Sequence, residues 1–265
     1  MPVARLAAAS AAVAVLFLVQ AAAFRAHASV TFDENFLLPA AKQLFARGDF
    51  DTLNTAGTAP LPVLLAYGPA VARYADYISD AMWAAAPGDV AAVDLARATN
   101  SLVVGVPLVL LCGWWVFRRI GSVGAAGTAA ALVALSPAVV AHSSLATTDV
   151  AFTLFFLAAL AAIARDAAAP TAGRLAAAGV LVGLAVASKY SACILLPVGY
   201  AVGVVAELTA RTGTPLGRRL ARLLTVHPLR QAVMAVVAFG ACWATTGFAV
   251  SGQPVFAKPA AEVPA

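Results

Sequence analysis

The sequence predicts an all-α fold, a polytopic transmembrane helical bundle of about seven spans. Three observations predict it. Hydrophobic residues make up 62% of the chain and charged residues 11%, with a mean hydropathy of +0.90; a water-soluble domain is nearer one quarter charged. The apolar residues fall in runs of membrane-spanning length. The arginines Arg118, Arg119, Arg165, Arg174, Arg211, Arg218, Arg219, Arg222 and Arg230 flank those runs, which is the positive-inside pattern. The net charge of +5 is therefore a topology signal, and nucleic acid is excluded as a partner.

Taken in order, residues 1–265 form a single membrane domain. Residues 5–24 are its first span, since the apolar run Leu6 to Phe24 exceeds the core of a cleavable leader. Residues 31–94 are more polar and form an outer loop. Within it, Pro39 suits a helix start and Gly48 a helix end. Ala40, Ala41, Leu44 and Phe45 recur at helical spacing between them, so a short amphipathic helix is expected at the membrane interface. Thr58 to Pro62 breaks the chain, Val63 to Tyr77 is a second such helix, and Ala86-Pro87-Gly88 is a turn. Residues 97–250 carry further spans at Thr99–Phe117, Ala125–Ala141, Val150–Ala164, Leu175–Ser188, Ser191–Val205 and Gln231–Val250. Residues 251–265 are a polar, Pro-rich outer tail. Arg118-Arg119, Arg165 to Arg174 and Arg211 to Arg230 fall inside; His142 to Asp149 and Ser188 to Tyr190 fall outside.

Chemistry in such a chain is sought among charges at the outer surface. Asp33 and Glu34 follow the first span and precede an amphipathic helix; a carboxylate there can take the proton of an attacking hydroxyl, and both are candidate catalytic residues. Asp149 opens a span after Thr147-Thr148, where a helix N-terminus favours its charge; it is a second acidic group on the same outer face as Asp33 and a candidate residue of the substrate site. Lys189 interrupts apolar sequence, which is costly unless it is paired or faces a polar cavity; it is a candidate phosphate ligand. Arg97 and His142, at the ends of spans, are weaker candidates for the same substrate site. Cys112, Cys193 and Cys242 lie within apolar segments without metal-ligand spacing and read as small core residues. The histidines are scattered and no metal-ligand cluster is seen, so no metal-binding residue is named. No nucleotide-binding glycine loop or nucleophile elbow is present.

Several stretches resemble the membrane glycosyltransferases of family 39, which include protein O-mannosyltransferases and bacterial lipid A aminoarabinose transferases. They are Thr31-Phe32-Asp33-Glu34, Pro39-Ala40-Ala41, Gly48-Asp49-Phe50, Ala59-Pro60-Leu61, Arg97 to Leu102, Ala134-Leu135-Ser136-Pro137, His142 to Asp149 and Gly183 to Ser191. Their order and spacing agree as well. The resemblance implies a GT-C architecture in the plasma membrane with its active site on the outer face. It implies a polyprenyl-phosphate sugar as donor, no other cofactor, and inverting transfer to a hydroxyl of a protein, lipid A or a glycan. The family's acidic residue of the first outer loop corresponds to Asp33, with Glu34 beside it, and its acidic residue before the fourth span to Asp149. Family members are about twice as long, so the chain corresponds to their N-terminal half; Ala59 also stands where many have a polar residue or proline. The alternative reading is a non-catalytic polytopic protein, a permease or a scaffold subunit, and charge at mid-membrane depth would mark a permease.

Overall fold

The computed structural model describes residues 2–50, 52–53, 57–79, 87–209 and 215–247. The expected tail 251–265, Arg211, Ala86 and the last residues of the seventh span lie outside them. Among the described residues the fold is helical without strands.

Helix α1 (Pro2–His27) is the first span, and α2 (Phe32–Arg47) follows after a four-residue turn. The expected start at Pro39 is corrected: α2 begins at Phe32 and carries Pro39 inside. Thr31 and Glu34 form a capping box, whose reciprocal bonds satisfy the first turn and set the start upstream. The end at Gly48 is as expected, with φ 65° and its N–H on the Leu44 carbonyl, a conformation glycine adopts without cost. Helix α3 (Pro60–Tyr74) opens with Pro60 in the first turn and passes into a 3-10 turn, Ala75–Tyr77. These helices pack against α4 (Pro87–Asn100), burying Leu37, Leu44, Val63, Tyr67, Val71 and Val93 in one core.

Helix α4 runs through a π turn, Ser101–Gly105, into α5 (Val106–Ile120), and the whole Pro87–Ile120 rod is 34 residues long. Gly105 admits Phe17 of α1 against the rod: a Cβ there would stand 2.7 Å from the Phe17 ring.

The expected span Ala125–Ala141 is two helices, α6 (Val123–Ala134) and α7 (Pro137–Ser144), bent by 61°. Pro137 lacks the N–H that would continue the helix, and it pushes Ser136 into an extended conformation (φ −67°, ψ 120°). Helices α8 (Asp149–Ala168), α9 (Ala172–Ser188), α10 (Leu195–Thr209) and α11 (Leu216–Ala244) complete the bundle, with a 3-10 turn, Tyr190–Ile194, before α10. Helix α11 begins at Leu216, so much of the arginine-rich stretch expected as a loop is helical.

Among the described residues, five helices are long and apolar enough to cross a membrane, the bent α6–α7 pair makes a sixth if it counts as one span, and α9 is a shorter apolar helix of 17 residues. The bundle turns apolar side chains outward: Leu132, Val236 and Phe239 are 68%, 71% and 67% exposed. In water these would be a liability; in lipid they are the normal surface. Cys193 is exposed, contrary to the core position expected for it, because it lies on the outward side of the 3-10 turn.

Apolar burial cannot drive helix association in lipid, so close packing must. Gly179 and Gly183, one turn apart on α9, face α11. A Cβ on Gly179 would stand 2.8 Å from Val237 Cβ, and one on Gly183 would meet the Ala238 carbonyl oxygen and stand 2.7 Å from Ala241 Cβ. The two backbones approach closely only because neither position carries a side chain.

Candidate functional site

The chain turns that end α1, α7 and α9 gather at one end of the bundle, and the candidate residues gather with them. Glu34 organises this end. Thr31 donates to its Oε2 from the backbone N–H at 2.9 Å and from the hydroxyl at 3.0 Å. Arg97 donates Nε to Oε1 at 2.7 Å and Nη2 to Oε2 at 2.6 Å, the parallel fork that matches guanidinium to carboxylate. The Ala146 N–H donates to Oε1 at 3.0 Å. Arg97 also donates to the carbonyls of Ala28 and Ser29 at 2.9 and 2.7 Å, tying down the exit from α1.

Glu34 is 0% and Arg97 4% exposed. Burial pushes the Glu34 carboxyl up. The Arg97 hydrogen bonds, the Ala146 and Thr31 N–H groups and the Arg97 charge outweigh burial and hold it below its ordinary range. These contacts depart from two expectations. Glu34 is sealed away from any acceptor, its oxygens committed to protein donors, so it holds neighbouring elements rather than meeting a substrate. Arg97 is buried in the same network and does not face a lipid phosphate.

The same network grips the segment from α7 to α8. The Tyr67 hydroxyl donates to the Ala146 carbonyl at 2.9 Å. Burial pushes the Tyr67 phenol well above its ordinary value, with the Glu34 and Asp33 charges adding to the rise against Arg97, so it remains a donor. Asn100 directs its Nδ2 at the carbonyls of Leu145 (2.7 Å), Ser143 (3.3 Å) and His142 (3.5 Å), and Ser101 Oγ donates to Ser143 at 2.9 Å. Carbonyls at a helix C-terminus lack intrahelical donors, and here Asn100 and Ser101, at the start of the π turn, supply them. Tyr67, Asn100 and Ser101 were absent from the sequence-derived set. The polar Asn100-Ser101 pair at the head of an apolar run was the available signal.

The gripped segment carries His142 at one end and Asp149 at the other. Lys189, the C-cap residue of α9, places Nζ 3.1 Å from Asp149 Oδ1 and 5.8 Å from the centre of the Phe152 ring. His142 Nδ1 lies 3.6 Å from Asp149 Oδ2. The side chains of Asp149, His142 and Lys189 are 44%, 51% and 49% exposed, so the cluster is open to a ligand. Thr148 is the N-cap, and Asp149 takes the first helical turn of α8. The cluster can hold an anion against Lys189 while Asp149 orients the ammonium.

Asp33 is exposed in the first turn of α2, beside buried Glu34. Because Glu34 binds Ala146, three residues before Asp149, both acidic positions lie at the same end of the bundle. The three cavities described lie at the opposite, arginine-rich end, and none of the three has Asp33 or Asp149 on its wall. Among the described residues, no three His, Cys, Asp or Glu side chains come together as a metal-binding group.

Comparison with curated proteins and with solved structures yields no match. A protein-family model matches residues 95–229, which take in Arg97, Asn100, His142, Asp149 and Lys189. The matching family is the dolichyl-phosphate-mannose-protein mannosyltransferases. With just over half its length matched, this helical membrane protein belongs to that family of GT-C glycosyltransferases.

Proposed function

We propose that the chain transfers a sugar from a polyprenyl phosphate to an acceptor hydroxyl at the outer face of the plasma membrane, with inversion. The observation that carries this reading is the open Asp149–Lys189–His142 cluster, held by the Glu34–Arg97 network at the end of the bundle that also carries Asp33. The lipid tail lies beside the spans and its phosphate against Lys189, with His142 at the rim. Asp33, exposed at the same end of the bundle, accepts the proton of the acceptor hydroxyl. The hydroxyl oxygen forms its bond to the anomeric carbon as the bond from that carbon to the phosphate oxygen breaks. The electron pair leaves with the polyprenyl phosphate, whose added charge Lys189 offsets. A single displacement inverts the anomeric centre. Proton transfer to a placed base is worth roughly 10²–10⁴ in rate, and a cation aimed at the developing phosphate charge is worth roughly 10²–10³.

The reading is supported by the family match and by the exposure of Asp33 and Lys189. Transport is not favoured by Lys189, which sits half-exposed at a helix end rather than within a span.

The test follows transfer from a radiolabelled polyprenyl-phosphate hexose in membranes containing the full chain. Asp33→Asn is expected to abolish transfer with insertion and thermal stability intact. Transfer at the normal rate by that variant would remove Asp33 from the mechanism. No transfer by the unaltered chain to protein, lipid A or glycan acceptors would overturn the reading.

A further inference from the structure

At the opposite end of the bundle two cavities adjoin between α5, α8 and the start of α9. One, of about 200 Å³, is lined by Trp114, Trp115, Arg118, Arg119 and Arg165 among others. The second, of about 360 Å³, shares Trp114 and Arg165 and continues past Arg174 along Leu111, Ala158 and Leu181. Their shape is thus a narrow apolar groove between helices that ends under four arginines.

The electrostatics are one-sided. Neither cavity has a carboxylate on its wall. Among the described residues, Arg118, Arg119 and Arg165 make no ion pair, and Arg174 is bonded to the Ala169 carbonyl. Asp166, next to Arg165 in sequence, is turned to the other side of α8, where Arg230 holds both its oxygens at 2.7 Å. The contrast within one end of the bundle is informative. In the neighbouring cavity the arginines Arg222 and Arg230 face Glu207 and Asp166, whereas here four positive charges converge without compensation. Positive-inside charge alone needs arginines near the span ends; it does not need them around a cavity that continues into an apolar groove. Trp114 stands at the junction and Trp115 on the wall of the first cavity, and tryptophan is typical of the headgroup level.

We infer that this groove is a binding site for an anionic membrane phospholipid. Its phosphate is held by Arg118, Arg119 and Arg165, with Arg174 at the rim, and one acyl chain lies along Leu111, Ala158 and Leu181. Basic pockets between spans recognise acidic headgroups in this way. The arginine fork suits phosphate oxygens better than a lysine point charge would. The site is separate from the glycosyl-transfer reading, and neither depends on the other.

The test uses the tryptophans as reporters. The full chain is reconstituted in phosphatidylcholine vesicles, and tryptophan quenching is compared on adding acyl-brominated phosphatidylglycerol or acyl-brominated phosphatidylcholine. Phosphatidylglycerol is expected to quench preferentially and saturably. The combined variant Arg118→Gln, Arg119→Gln, Arg165→Gln is expected to lose that preference, roughly fivefold per arginine and so on the order of a hundredfold. Arg218→Gln, which removes a basic residue outside the groove, is expected to keep it. If the triple variant fails to insert, Ala158→Phe fills the groove with all four arginines in place and is expected to remove the saturable component. Equal quenching by the two lipids overturns the inference, as does retention of the preference in the inserted triple variant or, where that variant fails to insert, in Ala158→Phe.

Discussion

Glu34 and Ala146 lie 112 positions apart and are joined by a 3.0 Å hydrogen bond in which the Ala146 N–H donates to Glu34 Oε1. Through it the first turn of α2, which carries Asp33, is fixed relative to the segment that carries His142 and Asp149. Precise placement at a reacting centre rests on such supporting contacts.

Removing one member of the buried pair is therefore expected to be severe. Glu34→Ala leaves the Arg97 guanidinium buried without its counter-charge, a loss of about 3–5 kcal/mol. Arg97→Met in the same chain should recover part of it, because two apolar groups replace two charges. Thermal unfolding in detergent of the two single variants and the double variant measures the coupling. Equal losses that simply add would show that the pair is not a unit.

Stability should also fall in acid. Glu34 is held below its ordinary value of 4.5 in the folded protein. The unfolded chain therefore takes up the proton first as pH falls. The stabilisation is fully present above about 4.5 and is lost as pH drops through the depressed folded value. Unfolding midpoints measured across that range should decline steeply, and less steeply for Glu34→Gln.

Tyr67→Phe removes one hydroxyl and leaves the packing intact. The Ala146 carbonyl then loses its partner in a buried setting, at about 1–3 kcal/mol. Because Ala146 sits in the gripped segment, kcat for transfer should fall while KM for the donor changes little. A variant with unaltered kcat would restrict Tyr67 to a stabilising role.

Lys189→Met separates stability from chemistry in the opposite sense. Its ion pair with Asp149 is about half-exposed, and such pairs contribute about 0–1 kcal/mol. Unfolding should barely change, whereas transfer should drop on the order of 10²–10³ if Lys189 faces the leaving phosphate. Donor-dependent kinetics alongside a melting curve read both.

Gly183→Ala probes the packing of α9 on α11. The new Cβ meets the Ala238 backbone, which cannot rotate away as a side chain could. The helices must separate, at about 1–3 kcal/mol. Gly240→Ala, where a Cβ would meet nothing within 4 Å, should be tolerated.

The fold was largely legible because apolar run length and flanking arginines act locally. The bend between α6 and α7 was missed although Pro137 was visible, since periodicity continues across it. The capping box at Thr31 was also in plain sight, and Pro39 drew the helix start away from it. Lys189 stands out because charge in apolar sequence demands a partner, and Asp149 because it opens a span, whereas His142 is a weaker candidate at a span end. That Glu34 would find Arg97, 63 positions on, had no local sign: both are polar residues next to apolar runs, and burial depends on how distant helices pack. Asp33 and Glu34 looked equivalent for the same reason, yet one is exposed and the other sealed.

The π turn Ser101–Gly105 sets a phase within a rod that is otherwise continuous. A π turn accommodates one more residue than an α turn, which offsets the two halves by about 100°, one residue of helical rotation. Arg97 and Asn100 are thereby aimed at the polar network while Leu108 and Val109 keep to the apolar core. Loss of a single residue from the turn would bring the halves into α-helical phase and swing Arg97 away from Glu34, with every side chain at the site still present. Chain length at this turn is therefore as much a determinant of the site as any one of its side chains.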